Sequence, residues 1–409
     1  MARFIPIAML FTALLFGYSA VADNDFARWK VEFRQVASQQ GIREDILDTA
    51  FIGLLPNRKV LRLDAHQPEF TRTIWDYLSN TVSEERVTTG LQRLASYKDV
   101  LDVIVSQYGV RREYLLAIWG MESNFGQHTG NYAVIRSLAT LAYAGREVRR
   151  EFWAKQLIAA LRILQQGDMA MIDLRGSWAG AIGHTQFIPT TFADYAVDFD
   201  GDGKRDLKNS IPDALASTAN YLVKSGWQPG QSWGEEISLP DDFDWNLADP
   251  GVLKPAGQWT AQHQVLQKNG DLLSGDRRTK AYILLPAGFR GPAFMVYPNF
   301  KVIRKYNNAV SYALAVGQLA DRLQGKPAMV ASWPVSDAAL SHAEKSELQE
   351  LLSAVGYSTE GVDGKIGPNT QSALRQWQSA VGFPPDGYAT AEHLELLRGQ
   401  SELQSDVAK

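Results

Sequence analysis

The chain has 409 residues, 45% of them hydrophobic and 21% charged. That is enough apolar material to bury a core in two or three domains, and it excludes a disordered protein. A formal net charge of −4 lacks the basic footprint of a phosphate-backbone binder, so no nucleic-acid partner is expected. With no cysteine, disulfides, thiolate metal sites, a cysteine nucleophile and a lipidated N-terminal cysteine are all excluded.

In chain order, Arg3, an apolar run from Phe4 to Phe16 and the small-residue pattern Ala20-Val21-Ala22 predict a cleaved secretory leader over residues 1–22. The run, about 13 residues, is short of the roughly 20 that a spanning helix needs. The expectation is therefore a soluble bacterial periplasmic protein with no stable membrane insertion after cleavage. Phe26, Trp29, Phe33 and Val36 then recur at helical spacing, and amphipathic helices follow to about Leu164. From Trp233 to Asn299, Pro, Gly and Asp punctuate β-prone runs such as Ala281 to Leu285 and Ala293 to Tyr297, which predicts a small β insertion. Helical periodicity returns at Ser311 to Leu323. Gly325 to Asp337, with two prolines and several small residues, reads as a linker.

The segment from about Leu340 to Leu397 predicts a compact three-helix module. Helical runs around Leu348, Leu351, Leu352 and Val355 and around Ala373, Leu374, Trp377 and Val381 end at Gly356 and Gly382, and Asp363-Gly364 and Asp386-Gly387 form a short internal repeat suited to tight turns. The fold class expected for the whole is mainly α (α+β). The domains expected are a leader at 1–22, a large region at 23–325, a linker at 326–339, the module at 340–398 and a tail at 399–409.

Two segments carry chemistry. Ala117-Ile118-Trp119-Gly120-Met121-Glu122-Ser123-Asn124-Phe125-Gly126 places one acid in an otherwise apolar helical stretch that a glycine ends. Trp119 and Phe125, three residues either side, can share the helical face of Glu122. Apolar surroundings disfavour an ionised carboxylate, which suits a general acid, although a buried and merely satisfied Glu reads the same way. Asp198-Phe199-Asp200-Gly201-Asp202-Gly203-Lys204-Arg205-Asp206 matches the first nine positions of an EF-hand loop, with carboxylates at 1, 3 and 5, glycine at 6 and the Lys204 carbonyl at 7. Position 12 is Asn209 where a bidentate Glu is expected, and Asp206 competes for that role. Hard oxygen donors suit a structural calcium ion, with sodium as the alternative; no cofactor for catalysis is expected. The six histidines lack zinc-ligand spacing, and His184 reads as a local groove or core residue.

Residues from about Phe26 to Gly325 resemble the membrane-bound lytic murein transglycosylase B family, in a branch without lipidation. The matches are Gln67-Pro68-Glu69-Phe70, Trp75-Asp76-Tyr77-Leu78, Ile118 through Gly126, Leu138 through Tyr143, Ser177-Trp178-Ala179-Gly180-Ala181-Ile182-Gly183-His184-Thr185-Gln186-Phe187 and Lys305-Tyr306-Asn307-Asn308. The tail resembles the three-helix peptidoglycan-binding domain through Leu348-Gln349, Gly356-Tyr357, Asp363-Gly364, Gly367, Thr370, Trp377-Gln378 and Asp386-Gly387. A generic three-helix interaction module is the alternative for the tail.

The resemblance implies a lysozyme-like catalytic core flanked by helical and small β elements, acting on peptidoglycan glycan strands. It implies that Glu122 protonates the bond between N-acetylmuramic acid and N-acetylglucosamine, then acts as base while the muramic C6 hydroxyl closes a 1,6-anhydro ring. It further implies that Ser177 and Gln186 lie beside the scissile bond, that Tyr77, Tyr221, Tyr306, Asn307 and Tyr312 line the glycan groove, and that Arg146 meets substrate carboxylates. The sequence Arg146-Glu147-Val148-Arg149-Arg150 departs from the adjacent arginine pair expected directly after Gly145. Asp213 is implied as the carboxylate that completes a lengthened metal loop. A lysozyme-type hydrolase and a non-catalytic wall-binding scaffold are the competing readings, and other cell-wall enzymes are possible partners.

Overall fold

The computed structural model describes residues 12–65 and 73–407. The first 11 residues of the expected leader and the Gln67-Pro68-Glu69-Phe70 motif lie outside them. Helices α1 (Thr12–Gln39), α2 (Glu44–Phe51), α3 (Arg58–Ala65), α4 (Ile74–Thr81), α5 (Glu84–Ser96), α6 (Lys98–Tyr108) and α7 (Arg112–Ser123) come first. They are followed by β1 (Tyr132–Ala133), α8 (Val134–Ala144), α9 (Arg150–Gln166), β2 (Arg175–Gly176), α10 (Pro189–Tyr195) and α11 (Ile211–Lys224). The insertion then holds β3 (Gly234–Ser238), β4 (Lys254–Pro255), α12 (Ala256–His263), β5 (Leu266–Gln267), β6 (Lys280–Leu284) and β7 (Ala293–Val296). Helices α13 (Pro298–Tyr306), α14 (Val310–Leu323), α15 (His342–Ala354), α16 (Pro368–Ala380) and α17 (Ala391–Val407) complete a mainly helical chain with small sheets, as expected.

The chain forms two compact units, one of residues 1–67 and 122–220, the other of residues 68–121 and 221–409. In the first, α8 packs along α9, and α3, α2 and α10 pack against this pair. The sequence of α8 explains its central place. Val134, Ile135, Leu138, Ala139, Leu141 and Ala142 are all buried, so it is apolar on nearly every side and needs cover all round. Ala159 and Ala160 of α9 are buried too, and small residues let helices approach closely.

In the second unit, five antiparallel strands in the order β4-β6-β7-β3-β5 bury Ile237, Trp259, Ile283 and Met295 on a common core. The run Ala293-Phe294-Met295-Val296 is apolar without alternation because all four residues are buried, so both faces of β7 are covered; β6 and β3 pair with its two edges. Asp321, on α14, accepts hydrogen bonds from the Trp233 indole N–H (3.0 Å) and the Lys326 ammonium (2.7 Å).

The three-helix module closes over Leu348, Leu352, Leu374, Trp377, Leu394 and Leu397. Its internal repeat has a physical basis. Gln349 accepts from the amides of Asp363 and Gly364 and donates to the Asp363 carboxylate (3.1 Å). Gln378 repeats this with the amide of Gly387 (2.8 Å) and the carboxylate of Asp386 (2.8 Å). Each buried glutamine thus satisfies the turn that follows its helix. The second turn also docks the module on the β insertion: the other Asp386 oxygen accepts from the Phe289 amide (2.8 Å), and Arg375 pairs with Asp249 (2.8 Å). The expected linker has neither helix nor strand, but it is held down. Glu236 of β3 accepts from the amides of Val330 (2.9 Å) and Ala331 (2.6 Å), Trp333 lies against Trp75, and Asp337 pairs with Arg290.

Replacing Asp386 by Ala strands the buried Gln378 amide and removes a docking bond. Losing buried hydrogen bonds of this kind costs about 1–3 kcal/mol. Calorimetry should show unfolding several degrees lower than wild type, and an unchanged transition would contradict the role given to Asp386. Burial holds the Asp321 carboxyl above the ordinary carboxylate range, against the opposing pull of Lys326 and Trp233. The folded chain therefore binds this proton more tightly than the unfolded chain. Its contribution is present below about pH 4 and is lost as pH rises through the raised value. In Asp321→Asn the pH dependence of the melting temperature should flatten over that window.

Candidate active site

Helix α7 ends at the candidate acid. Glu122 and Ser123 close it, and Asn124, Phe125 and Gly126 follow with φ of 49°, 55° and 88°. Three successive left-handed residues turn the chain abruptly, and the first two have no glycine freedom, so surrounding bonds must hold them. Phe125 is therefore not on the helical face of Glu122, as its spacing suggested; the chain has already turned, and its ring is buried beyond the helix end. Glu122 itself is half-buried.

The holding bonds converge on Ser123, which is buried. Its hydroxyl donates to the carbonyl of His184 (2.6 Å) and accepts from the Gly126 amide (2.9 Å). A Cβ on Gly126 would come within 2.4 Å of the His184 imidazole, so this turn excludes any side chain. Gly130 is similarly confined, since a Cβ there would lie 2.2 Å from the Gly176 carbonyl oxygen. That close approach sits beside the pairing of β1 with β2, where Tyr132 lies opposite Gly176.

Ser177 and Gln186 belong to the same patch. Ser177 accepts from the Ala181 amide through its hydroxyl (3.0 Å) and closes a turn. Isolated bridges then connect Gly176 to Ile182 and Ile182 to Phe187. Gln186 has a left-handed backbone (φ 53°), and its side-chain amide donates to the carbonyls of Thr129 (3.1 Å) and Gly183 (2.8 Å). The loop leaving Glu122 is thus stitched to the Gly176–Phe187 segment at Ser123, Thr129 and Tyr132.

The same segment reaches the acidic loop, because the His184 amide donates to the carbonyl of Leu207 (2.8 Å). Asp198, Asp200 and Asp202 are exposed and offer carboxylate oxygens within 4.8 Å of one another. Asp206 and Asp213 stand outside this cluster. Asp213 is fully buried and accepts from the amides of Phe199 (2.8 Å), Asp200 (3.3 Å) and Asp206 (2.8 Å). Asp206 accepts from the amides of Lys208 and Asn209 (each 2.9 Å). The Lys204 side chain is exposed and its amide donates to Asp202 (2.8 Å). Arg205 turns away to a two-pronged pair with buried Asp168 (2.6 and 3.0 Å), which removes its charge from the cluster.

Arg146 is tied into the fold: its amide (2.9 Å) and guanidinium (3.3 Å) both donate to buried Asp64. In the second unit, Tyr221, Tyr306 and Asn307 come together. The Tyr221 hydroxyl donates to the Lys305 carbonyl (2.6 Å), its ring meets that of Tyr306 edge-on at 4.9 Å, and exposed Asn307 caps α13 while its side chain accepts from the Ala309 amide. Tyr312 is 3% exposed, a core residue of α14. Tyr77 is half-buried on α4, which packs against α14. Sequence reasoning gave no part to Ser123; a hydroxyl directly after an acid at a glycine-ended helix was the available signal.

The Transglycosylase SLT domain family matches residues 25–321, and the Putative peptidoglycan binding domain family matches residues 341–397. The chain is 51% identical to SltB3 from Pseudomonas aeruginosa, solved in complex with NAG-anhNAM-pentapeptide; the likeness covers 91% of this chain and 99% of that one, with a TM-score of 0.88. Escherichia coli Slt35, solved in complex with calcium, is 26% identical over 72% of this chain and 92% of that one, with a TM-score of 0.60. Membrane-bound lytic murein transglycosylase B from Escherichia coli (strain K12) is 29% identical over 248 residues, 59% of this chain, and the match spans 65% of that relative's length. With the SLT domain over most of its length and a peptidoglycan-binding domain after it, the chain belongs to the lytic transglycosylase family.

Proposed function

We propose that the chain cleaves the β-1,4 bond between N-acetylmuramic acid and N-acetylglucosamine in peptidoglycan, leaving 1,6-anhydromuramic ends, with Glu122 as its acid and then its base. The observation that carries this reading is a half-buried carboxylate at a helix end whose next residue, Ser123, is bonded to His184. Hydrolytic glycosidases ordinarily flank the bond with two carboxylates. Here the substrate supplies the second group. Glu122 gives its proton to the glycosidic oxygen as the C1–O bond breaks, and the N-acetyl group stabilises the cationic centre at C1. The ionised Glu122 then takes the proton of the muramic C6 hydroxyl, whose oxygen bonds to C1, so no water is consumed. The NAG-anhNAM-pentapeptide bound in the SltB3 structure supports this outcome over hydrolysis. Fixing the acid within bonding reach supplies much of the rate.

Ser177 and Gln186 shape the wall beside the reacting sugars, and Tyr221, Tyr306 and Asn307, with Tyr77, contact the glycan through ring faces and polar tips. Arg146 reaches substrate carboxylates only with the part of its guanidinium that Asp64 leaves free. Buried Tyr312 supports the others by packing. Asp198, Asp200, Asp202 and the Lys204 carbonyl hold a calcium ion, while Asp206 and Asp213 brace the loop from behind. The hard, charged oxygen donors fit such an ion, and calcium in the Slt35 structure supports it. The ion is structural: through Leu207 and His184 it stiffens the segment that anchors Ser123.

We place the activity in the periplasm, at the cell wall, with a leader over 1–22, catalysis in 23–325 and wall attachment through 340–398. Arg3, the apolar run and Ala20-Val21-Ala22 support export. No helix among the described residues is long and apolar enough to cross a membrane.

Glu122→Gln should lower release of anhydro products from sacculi by about 10²–10⁴-fold, the range general acid–base groups supply, with the melting temperature unchanged. Product mass spectrometry reads it: undiminished lysis would refute the assignment, and products heavier by one water would make the enzyme a hydrolase. Chelation by EGTA should lower the melting temperature and activity together, and calcium should restore both. At 100 times its dissociation constant an ion contributes about 2.7 kcal/mol. A chelated protein with neither property altered would rule out the structural ion.

A further inference from the structure

Ile52-Gly53-Leu54-Leu55-Pro56, in the loop between α2 and α3 of the first unit, carries no polar side chain. Leu54 is buried, whereas Ile52 is 84% exposed and Leu55 56%. Three successive carbonyls hold the loop in that posture. Lys30 of α1 donates to the Leu54 carbonyl (3.2 Å), and Arg136 of α8 donates to the carbonyls of Leu55 (2.9 Å) and Pro56 (3.2 Å). An apolar tip kept in water by its own backbone bonds forgoes the burial its side chains could gain, and such a tip with a polar rim marks an interaction surface.

The rim is positive. From Ile52 to Leu63 the sequence holds Arg58, Lys59 and Arg62 and no acid. All three cations are exposed on α3, and spacings of three and four residues put them on one helical face. None of them has an ion-pair partner among the described residues. Lys59 stands over the Tyr132 ring at 5.6 Å, and Arg136 bonds uncharged carbonyls, which leaves its charge uncancelled. The acids of α2 and α3 are answered by other cations: Glu44 and Asp48 by Arg34 (2.9 and 2.6 Å), Asp45 by Arg43 (3.0 Å) and buried Asp64 by Arg146 (3.3 Å).

Uncancelled cations beside exposed aliphatic side chains select a partner with negative charge above an apolar layer. A glycan strand bearing acidic peptides supplies the charge without a continuous apolar layer, whereas a bilayer with anionic headgroups supplies both. We propose that the tip at Ile52–Pro56 and the exposed face of α3 form a docking surface for an anionic phospholipid bilayer. Ile52 and Leu55 enter the headgroup region, while Arg58, Lys59, Arg62 and Arg136 meet the phosphates. The contact is reversible, needs no spanning helix and is independent of the cleavage reading. It holds the first unit, which carries Glu122, against the membrane.

The test is co-sedimentation with vesicles of the chain from Asp23 onward, the form that export leaves, so that the apolar run at Phe4–Phe16 cannot itself bind lipid. Wild type should bind vesicles of equal parts phosphatidylglycerol and phosphatidylcholine at least tenfold more tightly than phosphatidylcholine alone, and about 0.5 M sodium chloride should remove the difference. Arg58→Gln with Arg62→Gln should weaken binding about 25-fold, since each cation near an anionic surface is worth about fivefold. Ile52→Ser with Leu55→Ser should weaken it at least fivefold, with the melting temperature unchanged. Equal binding to the two kinds of vesicle, or none to the anionic kind, overturns the proposal, and that comparison needs no variant to fold. Binding that falls with the arginines yet survives the loss of Ile52 and Leu55 would mark a site for soluble polyanions, acidic proteins included, and overturns the bilayer as partner.

Discussion

The hydrogen bond from the Ser123 hydroxyl to the His184 carbonyl fixes where the acid stands. It joins the residue beside Glu122 to a segment distant in sequence, and the left-handed turn at 124–126 persists because that bond and the Gly126 amide oblige it to. His184 is in turn fixed through its amide to Leu207, next to the acidic loop. A carboxylate on an unfastened helix end would sample many positions, and misplacement by about 1 Å can cost two orders of magnitude in rate. One short polar contact thus connects backbone strain, the geometry of the acidic loop and the placement of Glu122.

The module at the C-terminus shows how one local solution can be put to two uses. Gln349 and Gln378 close equivalent turns with equivalent bonds. Asp363 stays near the surface, whereas Asp386 offers its spare oxygen to Phe289. Repetition in sequence made the two turns alike; packing against the β insertion made them different.

The place of Glu122 on a helix, the acidic loop and the helical repeats were legible because each depends on local pattern: an isolated charge in an apolar stretch, oxygens at alternate positions, an Asp-Gly turn after each helical run. Strands β6 and β7 were legible for the same reason. What stayed hidden depends on contacts distant in sequence. Phe125 leaves its helical face because a turn is imposed by His184. Arg146 is claimed by Asp64, and Arg205 by Asp168. Asp213, which the resemblance implies as a ligand, is buried and accepts from three backbone amides that its sequence position does not reveal. A linear pattern records which groups are present, not which partner reaches them first.

The pinned linker changes what the C-terminal module does for the molecule. A free tether of 14 residues would let its end wander over about 20 Å and would act only by raising local concentration. Held by Glu236, Trp75 and Arg290, the strap permits no such search. The module becomes a fixed ruler: a ligand seated on it meets the β insertion at one offset and one angle, so lengthening the strap would disturb alignment before it extended reach.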